Sequence, residues 1–152
     1  MANQDYQLAQ INIAKLKYPL TDPKVADFVA NLDKVNEVAE TSPGFVWRLK
    51  DESGNATSIK AFDDDMLIVN MSVWKCIDDL FAFTYKSDHI DVFRRKNEWF
   101  ELKTNSHMAL WWIKAGEVPS VEDGKEKLLL IDQQGPTKEA FTFKKQFPKP
   151  EK

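Results

Sequence analysis

Two segments of the chain alternate apolar and mixed residues with the period of a β-strand. They are residues 6–17, YQLAQINIAKLK, and residues 65–74, DMLIVNMSVW. One face of the two segments is uniformly apolar and carries Ala9, Ile11, Ile13, Leu67, Val69, Met71 and Val73. Successive side chains of a strand point to opposite sides, so each segment should bury its apolar face against another layer.

The remaining segments complete an ordered series of elements. Asp22 and Pro23 are typical of a helix start, and helical spacing of apolar residues predicts a helix over 23–40. Strands are predicted at 44–51 and 107–116, a helical segment at 77–86, and a helix at 120–135 that begins with Ser120 and Asp123. A last short strand is predicted in EAFTFKKQF.

The order is that of a ferredoxin-like βαββαβ fold with a C-terminal helix and short strand, an α+β class. We expect one domain over 1–152, ordered over about 6–147, with a tail at 148–152. The helices should cover one face of an antiparallel sheet, and the apolar faces of the first and third strands should meet them.

Composition excludes several classes of function. The net charge of -3 argues against nucleic acid as a partner, because phosphates attract a basic surface. The single cysteine excludes an internal disulfide and a cysteine-clustered metal site. The first residues lack the pattern of a signal peptide, and no apolar run reaches the ~20 residues of a membrane span. We therefore expect a cytoplasmic protein without a membrane partner.

The mixed faces of the two strands carry a distinctive set of short polar side chains. Gln10, Asn12, Asn70 and Ser72 stand among Leu8, Ile68 and Trp74. A solvated face would favour Lys, Glu and Thr, and a plain dimer core would favour Leu and Val. Amides and a hydroxyl among large apolar residues predict a partly enclosed small-molecule pocket on the open face of the sheet. The alternative is a dimer interface that contains a few satisfied polar groups.

Alternation alone does not decide which residues of two further strands lie on the same face as Gln10. The fourth strand adds either His107, Ala109 and Trp111, or Met108, Leu110 and Trp112. The second strand adds either Phe45 and Trp47, or Val46 and Arg48.

Residues 87–101, SDHIDVFRRKNEWFE, are predicted to form a helix with one of the two histidines near its start. His89 is either a surface residue or a proton acceptor. Arg95 either pairs with Asp91 on a solvated face or binds ligand. Trp99 is interpreted first as a core anchor and second as a ligand contact. No histidine follows His89 at the fourth position, so no metal site is expected. Cys76 could act as a nucleophile only beside a base.

Three stretches together resemble the bacterial family known as domain of unknown function 3291: HIDVFRRKNEWFE, MALWWIKAGEVPSVED and GPTKEAFTF. The resemblance covers nearly the whole chain. It implies a dimeric α+β barrel, in which two ferredoxin-like subunits bring their open sheet faces together and each keeps a pocket there. Cofactor-free monooxygenases of that superfamily use an Asn, a Trp and sometimes an Arg or His, and Asn12, Trp111 or Trp112, and His89 are similar by type and expected location.

These observations favour a homodimeric small-molecule enzyme, a cofactor-independent monooxygenase or isomerase acting on an aromatic or polyketide-like substrate. The predicted catalytic residues are His89, Asn12 and His107. The predicted substrate-binding residues are Gln10, Asn70, Ser72, Trp74, Trp111, Trp112, Arg95 and Trp99. No cofactor is expected. One alternative is a haem enzyme with His89 or His107 as axial ligand, and another is a non-catalytic protein that binds a small ligand.

Overall fold

A computed structural model describes residues 6–19, 21–49, 67–86, 99–100 and 108–148, without the side chains of residues 32, 33, 85 and 86. The described strands are β1 (Tyr6–Lys15), β2 (Phe45–Arg48), β3 (Leu67–Trp74) and β4 (Met108–Lys114). The described helices are α1 (Ala26–Thr41), α2 (Ile77–Lys86) and α3 (Val121–Gln134). None of the helices in these ranges is long and apolar enough to cross a membrane.

The four strands form one antiparallel sheet with the order β2-β3-β1-β4. This order places the first and third strands at the centre, as the ferredoxin-like arrangement requires, and the predicted α+β fold is confirmed. The register sets Gln10 opposite Ser72 on one side and Leu110 on the other. The predicted last strand is reduced to a bridge in which Phe141 exchanges two 2.8 Å backbone hydrogen bonds with Leu110.

The predicted helix starts are present. The Asp22 carboxylate accepts a hydrogen bond from the Lys24 backbone N–H at 2.8 Å, and a 3-10 turn, Pro23–Val25, precedes α1. Ser120 and Asp123 form a reciprocal capping box at the start of α3. Such local bonds satisfy the free N–H groups of a helix start and depend on neighbouring residues alone.

The two faces of the sheet carry different layers. We call the side with Leu8, Gln10, Asn12, Asn70, Ser72, Trp74 and Leu110 the Gln10 face, and the side with Ala9, Ile11, Ile13, Val69, Met71, Val73 and Trp111 the Ile11 face. Ala39 of α1 and Leu80 of α2 pack with Trp74 on the Gln10 face. Leu128 and Ile131 of α3 pack on the Ile11 face.

Our assignment of the two faces was therefore wrong. We expected α1 and α2 on the Ile11 face and an open Gln10 face, whereas the structure places both helices on the Gln10 face and α3 on the Ile11 face. The reason is physical: large apolar residues such as Leu8 and Trp74, each 0% exposed, make the Gln10 face a packing surface as well. Its polar side chains are tolerated there because they bond to one another.

Two apolar clusters lie on the Gln10 face, one at each end of the central strands. The Trp74 cluster has as its buried members Leu8, Ala39, Trp74, Leu80, Leu110 and Phe141. The Trp99 cluster has as its buried members Leu16, Val25, Phe28 and Trp99. Helix α1 joins them, since Phe28 near its start and Ala39 near its end belong to different clusters. At ~1.5 Å rise per residue the helix spans about 16 Å between these two contacts.

Gly44 connects α1 to β2 with a backbone that other residues rarely adopt, at φ +82°. A Cβ at this position would overlap the Asp79 side chain. Gly116 has φ +94° but nothing within 4 Å of such a Cβ, so it serves as a matched control. We expect Gly116→Ala to cost about 1–2 kcal/mol from backbone strain, and Gly44→Ala to cost about 1–3 kcal/mol more from the overlap. Urea denaturation measures both, and equal losses would contradict the close approach of Asp79.

Candidate functional site

The Gln10 side chain is the centre of a hydrogen-bonded network on the Gln10 face. Gln10 is 4% exposed. Its Nε2 donates to Asn70 Oδ1 at 2.7 Å and to Ser72 Oγ at 2.8 Å. Ser72 is its direct neighbour on β3 and Asn70 the diagonal one, so the antiparallel register brings these three side chains together.

Ser72 links this network to the aromatic core. Trp74 is 0% exposed, and its indole Nε1 donates to Ser72 Oγ at 2.8 Å. The Ser72 oxygen therefore accepts two hydrogen bonds, and its own O–H remains as a donor. The Trp74 ring stacks on Phe83 of α2, with ring centroids 5.2 Å apart, and meets Phe45 of β2 edge-on.

Asn12 on β1 extends this network to a line of four polar side chains, Gln10, Asn12, Asn70 and Ser72, which we call the polar row. Asn12 stands opposite Asn70 and is half-buried. Within the ranges that the structure describes, no hydrogen bond involves the Asn12 side chain, the Asn70 Nδ2 group or Gln10 Oε1. Amide N–H groups held on a rigid sheet can bind a carbonyl or an oxyanion without further reorganisation. Between the Trp74 and Trp99 clusters the row therefore offers free hydrogen-bonding groups, beside Gln10, Asn70 and Ser72, which bond to one another.

The three other tryptophans of the predicted site lie in different places. Trp112 shares the Gln10 face with Leu8, and its Nε1 donates to the Phe147 carbonyl at 2.9 Å. Trp111 packs on the Ile11 face, so it does not join this row. Trp99 is 1% exposed and its ring lies 5.4 Å from that of Phe28, which confirms its interpretation as a core anchor.

Arg48 is the functional candidate that sequence reasoning left undecided. A β-bulge between Phe45 and Trp47 places Phe45 and Arg48 on the Gln10 face and Trp47 on the Ile11 face. Neither predicted phase of this strand was right, since each assumed regular alternation. The Arg48 side chain is 10% exposed, and its Nε donates to Glu40 Oε2 of α1 at 3.0 Å. The one glycine of GFVWRLKD, Gly44, precedes β2, and no residue within the strand is typical of a bulge, so the sequence offered no signal for this placement.

Comparison with known proteins gives the family. The family model described as "Domain of unknown function (DUF3291)" matches residues 7–152. The chain belongs to this family. The match includes every residue of the polar row and confirms the predicted resemblance.

Three solved structures are similar to this DUF3291 chain at low identity. A protein from Pseudomonas aeruginosa is 10% identical with a TM-score of 0.46, covering 76% of this chain and 98% of that one. A candidate antibiotic biosynthesis monooxygenase from Nitrosomonas europaea is 19% identical with a TM-score of 0.46, covering 76% and 93%. The cofactor-independent oxygenase SnoaB from Streptomyces nogalater is 15% identical with a TM-score of 0.45, covering 75% and 96%. No curated protein matches the chain.

Three predicted site residues of this DUF3291 chain, His89, Arg95 and His107, lie outside the described residues. The two histidines are also the ones that would serve as proton acceptor or haem ligand. In the described part of the chain, no group of three or more His, Cys, Asp or Glu could hold a metal ion.

Cys76 lies at the start of α2 beside an acid rather than a base. Its thiol donates to Asp79 Oδ2 at 3.3 Å. Burial, followed by the side-chain hydrogen bond and the negative charge of Asp79, raises the pKa of the Cys76 thiol. The reactive form of a cysteine is the thiolate, so this environment does not favour Cys76 as a nucleophile.

Proposed function

We propose that the chain is a small-molecule enzyme, a cofactor-independent monooxygenase or a related isomerase, whose ligand binds over the polar row of the Gln10 face. The observation that carries the proposal is the Gln10 network: a buried amide fixes Asn70 and Ser72 in place through two short hydrogen bonds. Polar side chains held in this way among aromatic residues are typical of a site that orients a flat ligand.

The proposed chemistry begins with an aromatic or polyketide-like substrate that loses a proton from carbon. His89 or His107 takes this proton, and Arg95 contacts the substrate; all three assignments are part of the proposal. The amide of Asn12 donates to the oxygen of the resulting enolate, where negative charge develops. A CH₂ group then reacts with O₂ to give a ketone and water. The carbon supplies four electrons, one oxygen atom enters the product and the other leaves as water.

A second candidate function is a non-catalytic protein that binds a small ligand. It is favoured by the chemistry of the row itself, because Gln10, Asn12, Asn70 and Ser72 are neutral donors and acceptors and none of them is a base. The two functions share the same site and differ in whether product forms.

Anthrone is a suitable test substrate, since its oxidation to anthraquinone is the reaction just described. We expect the protein to consume O₂ with anthrone faster than buffer does. Asn12→Ala should lower this rate by about 10²-fold, the usual effect of removing one donor to an oxyanion. His89→Ala or His107→Ala, whichever removes the proton acceptor, should abolish it while the oligomeric state is kept.

Lys24→Ala is the control, because Lys24 lies in the turn before α1 and contacts the Tyr18 ring rather than the row. Unchanged turnover in Asn12→Ala and His89→Ala would remove both residues from the mechanism. Anthrone binding without O₂ consumption would establish the non-catalytic function instead.

We also propose that the chain forms a homodimer and acts in the cytoplasm. The resemblance to dimeric α+β barrel proteins supports the dimer, and so do two exposed apolar residues beside and on α3, Val118 at 61% and Leu129 at 54%. Sedimentation equilibrium measures the oligomeric state, and a monomer at micromolar concentration would contradict the dimer.

A further inference from the structure

We propose that Arg48 makes this site selective for ligands that carry a carboxylate. The inference rests on the proposed small-molecule site on the Gln10 face and adds the class of ligand. It starts from an unusual combination: a cation whose side chain is 10% exposed but is bonded to Glu40 through Nε alone.

The β-bulge in β2 is what brings Arg48 to the row. Phe45 stands opposite Trp74, and both Val46 and Trp47 oppose Val73, so that Arg48 stands opposite Ser72. In a regular strand, Arg48 would oppose Met71 and lie on the Ile11 face among apolar residues. Bulges re-aim side chains and are common beside active sites. Directly opposed side chains have Cβ atoms about 4.5–5.5 Å apart, so Arg48 and Ser72 can donate to one shared acceptor.

The guanidinium retains most of its hydrogen-bonding capacity. Arginine has five N–H donors in a planar fork, and here Nε is the donor that reaches Glu40. Within the described ranges the two Nη groups have no partner. Both Nη atoms also keep some solvent exposure. In the described ranges, the one fully buried side-chain nitrogen or oxygen without a hydrogen-bond partner is Gln7 Oε1. A largely buried cation with free, accessible donors calls for an acceptor, and a carboxylate matches the two-pronged geometry of the fork.

Glu40 allows the proposed role to be separated from a structural one. The Arg48–Glu40 pair also ties β2 to the last turn of α1, and Glu40 is 39% exposed. If the pair were structural only, loss of either partner would weaken the fold and leave ligand preference unchanged. If Arg48 binds a carboxylate ligand through its Nη groups, the negative charge of Glu40 on Nε repels that ligand and offsets part of the positive charge that attracts it. Glu40→Gln should then increase carboxylate affinity, whereas Arg48→Gln should decrease it.

The test compares 2-naphthoate with 2-naphthamide, which have the same ring and differ in charge. Binding is followed through the NMR signals of the Gln10, Asn12 and Asn70 side-chain amides, which report on the row itself. We expect the wild type to prefer naphthoate by about tenfold or more, as charge-assisted hydrogen bonds are about twice as strong as neutral ones. Arg48→Gln should abolish the preference, Arg48→Lys should keep part of it, and Glu40→Gln should increase it.

Lys125→Gln is the control for net charge, because it removes one positive charge from α3, on the opposite face of the sheet. It should leave the preference unchanged. Equal affinity of the wild type for both probes would overturn the carboxylate inference and leave the proposed site intact. If neither probe shifted the three amides, both proposals would be overturned. Should Arg48→Gln fail to fold, Glu40→Gln decides alone, and an unchanged or lower naphthoate affinity would overturn the inference.

Discussion

Replacing Trp74 with alanine is expected to lower the free energy of unfolding by about 3–5 kcal/mol, the usual cost of truncating a buried tryptophan. Trp74 is 0% exposed and belongs to the cluster that joins the sheet to α1 and α2. Its ring contacts Phe45 on β2 and Phe83 on α2. Truncation therefore leaves a cavity between three elements, and it also removes the indole donor to Ser72.

Two further variants separate these contributions. Trp74→Phe keeps most of the aromatic contact area but loses the Ser72 bond, so we expect a smaller loss of about 1–2 kcal/mol. Val29→Ala truncates an apolar residue that is 39% exposed on α1, and its effect should stay within about 0.5 kcal/mol. Urea denaturation followed by far-UV circular dichroism gives all three values. If Trp74→Ala lowered the free energy of unfolding by less than about 1 kcal/mol, the packing of this ring between the sheet, α1 and α2 would not stabilise the fold.

Replacing Gln10 with leucine is expected to remove function and leave stability nearly unchanged. The substitution keeps the volume of the side chain. Trp74 continues to donate to Ser72, and Asn70 is exposed and can bond to water. Replacing a buried polar group by an apolar one of the same shape is often close to neutral, so we expect a change of about 1 kcal/mol or less. The row loses the amide that fixes Asn70 and Ser72, and turnover of anthrone should fall by about 10²-fold.

Gln7→Leu is the matched control for Gln10→Leu. Gln7 is on the same strand but faces the other side, and its Oε1 is buried without a hydrogen-bond partner. The control should therefore keep function, and it should keep or raise stability, because it removes an unsatisfied acceptor. If Gln10→Leu bound and turned over ligand as the wild type does, the network would be structural and the proposed site would be wrong.

The sequence by itself determined the four strands and three helices that the structure describes, and their order. Alternation located β1 and β3, and helical spacing located α1 and α2. The capping residues Asp22 and Ser120 marked helix starts that the structure confirms. These features follow from interactions between near neighbours along the chain. The order of the elements then limits the topology, because few arrangements bury every apolar face.

The sequence also determined which polar residues meet, although not what covers them. Gln10, Asn70, Ser72 and Trp74 were predicted to form one site, and they are linked by hydrogen bonds. Their meeting follows from strand alternation together with one antiparallel register. Trp111, also predicted for this site, lies on the Ile11 face. Alternation could not choose the phase of β4, because both of its faces are apolar.

Tertiary structure alone decided which face of the sheet each helix covers and where Arg48 points. Alternation defines two faces, but it does not say which one faces α1 and α2 when both can be buried. That choice depends on how the connecting segments and α3 pack in three dimensions. The bulge at Val46 likewise inserts one residue into the ladder, and no local preference records it. It moves Arg48 from an apolar layer to the polar row, since the side on which a strand residue lies depends on its pairing and not on its identity.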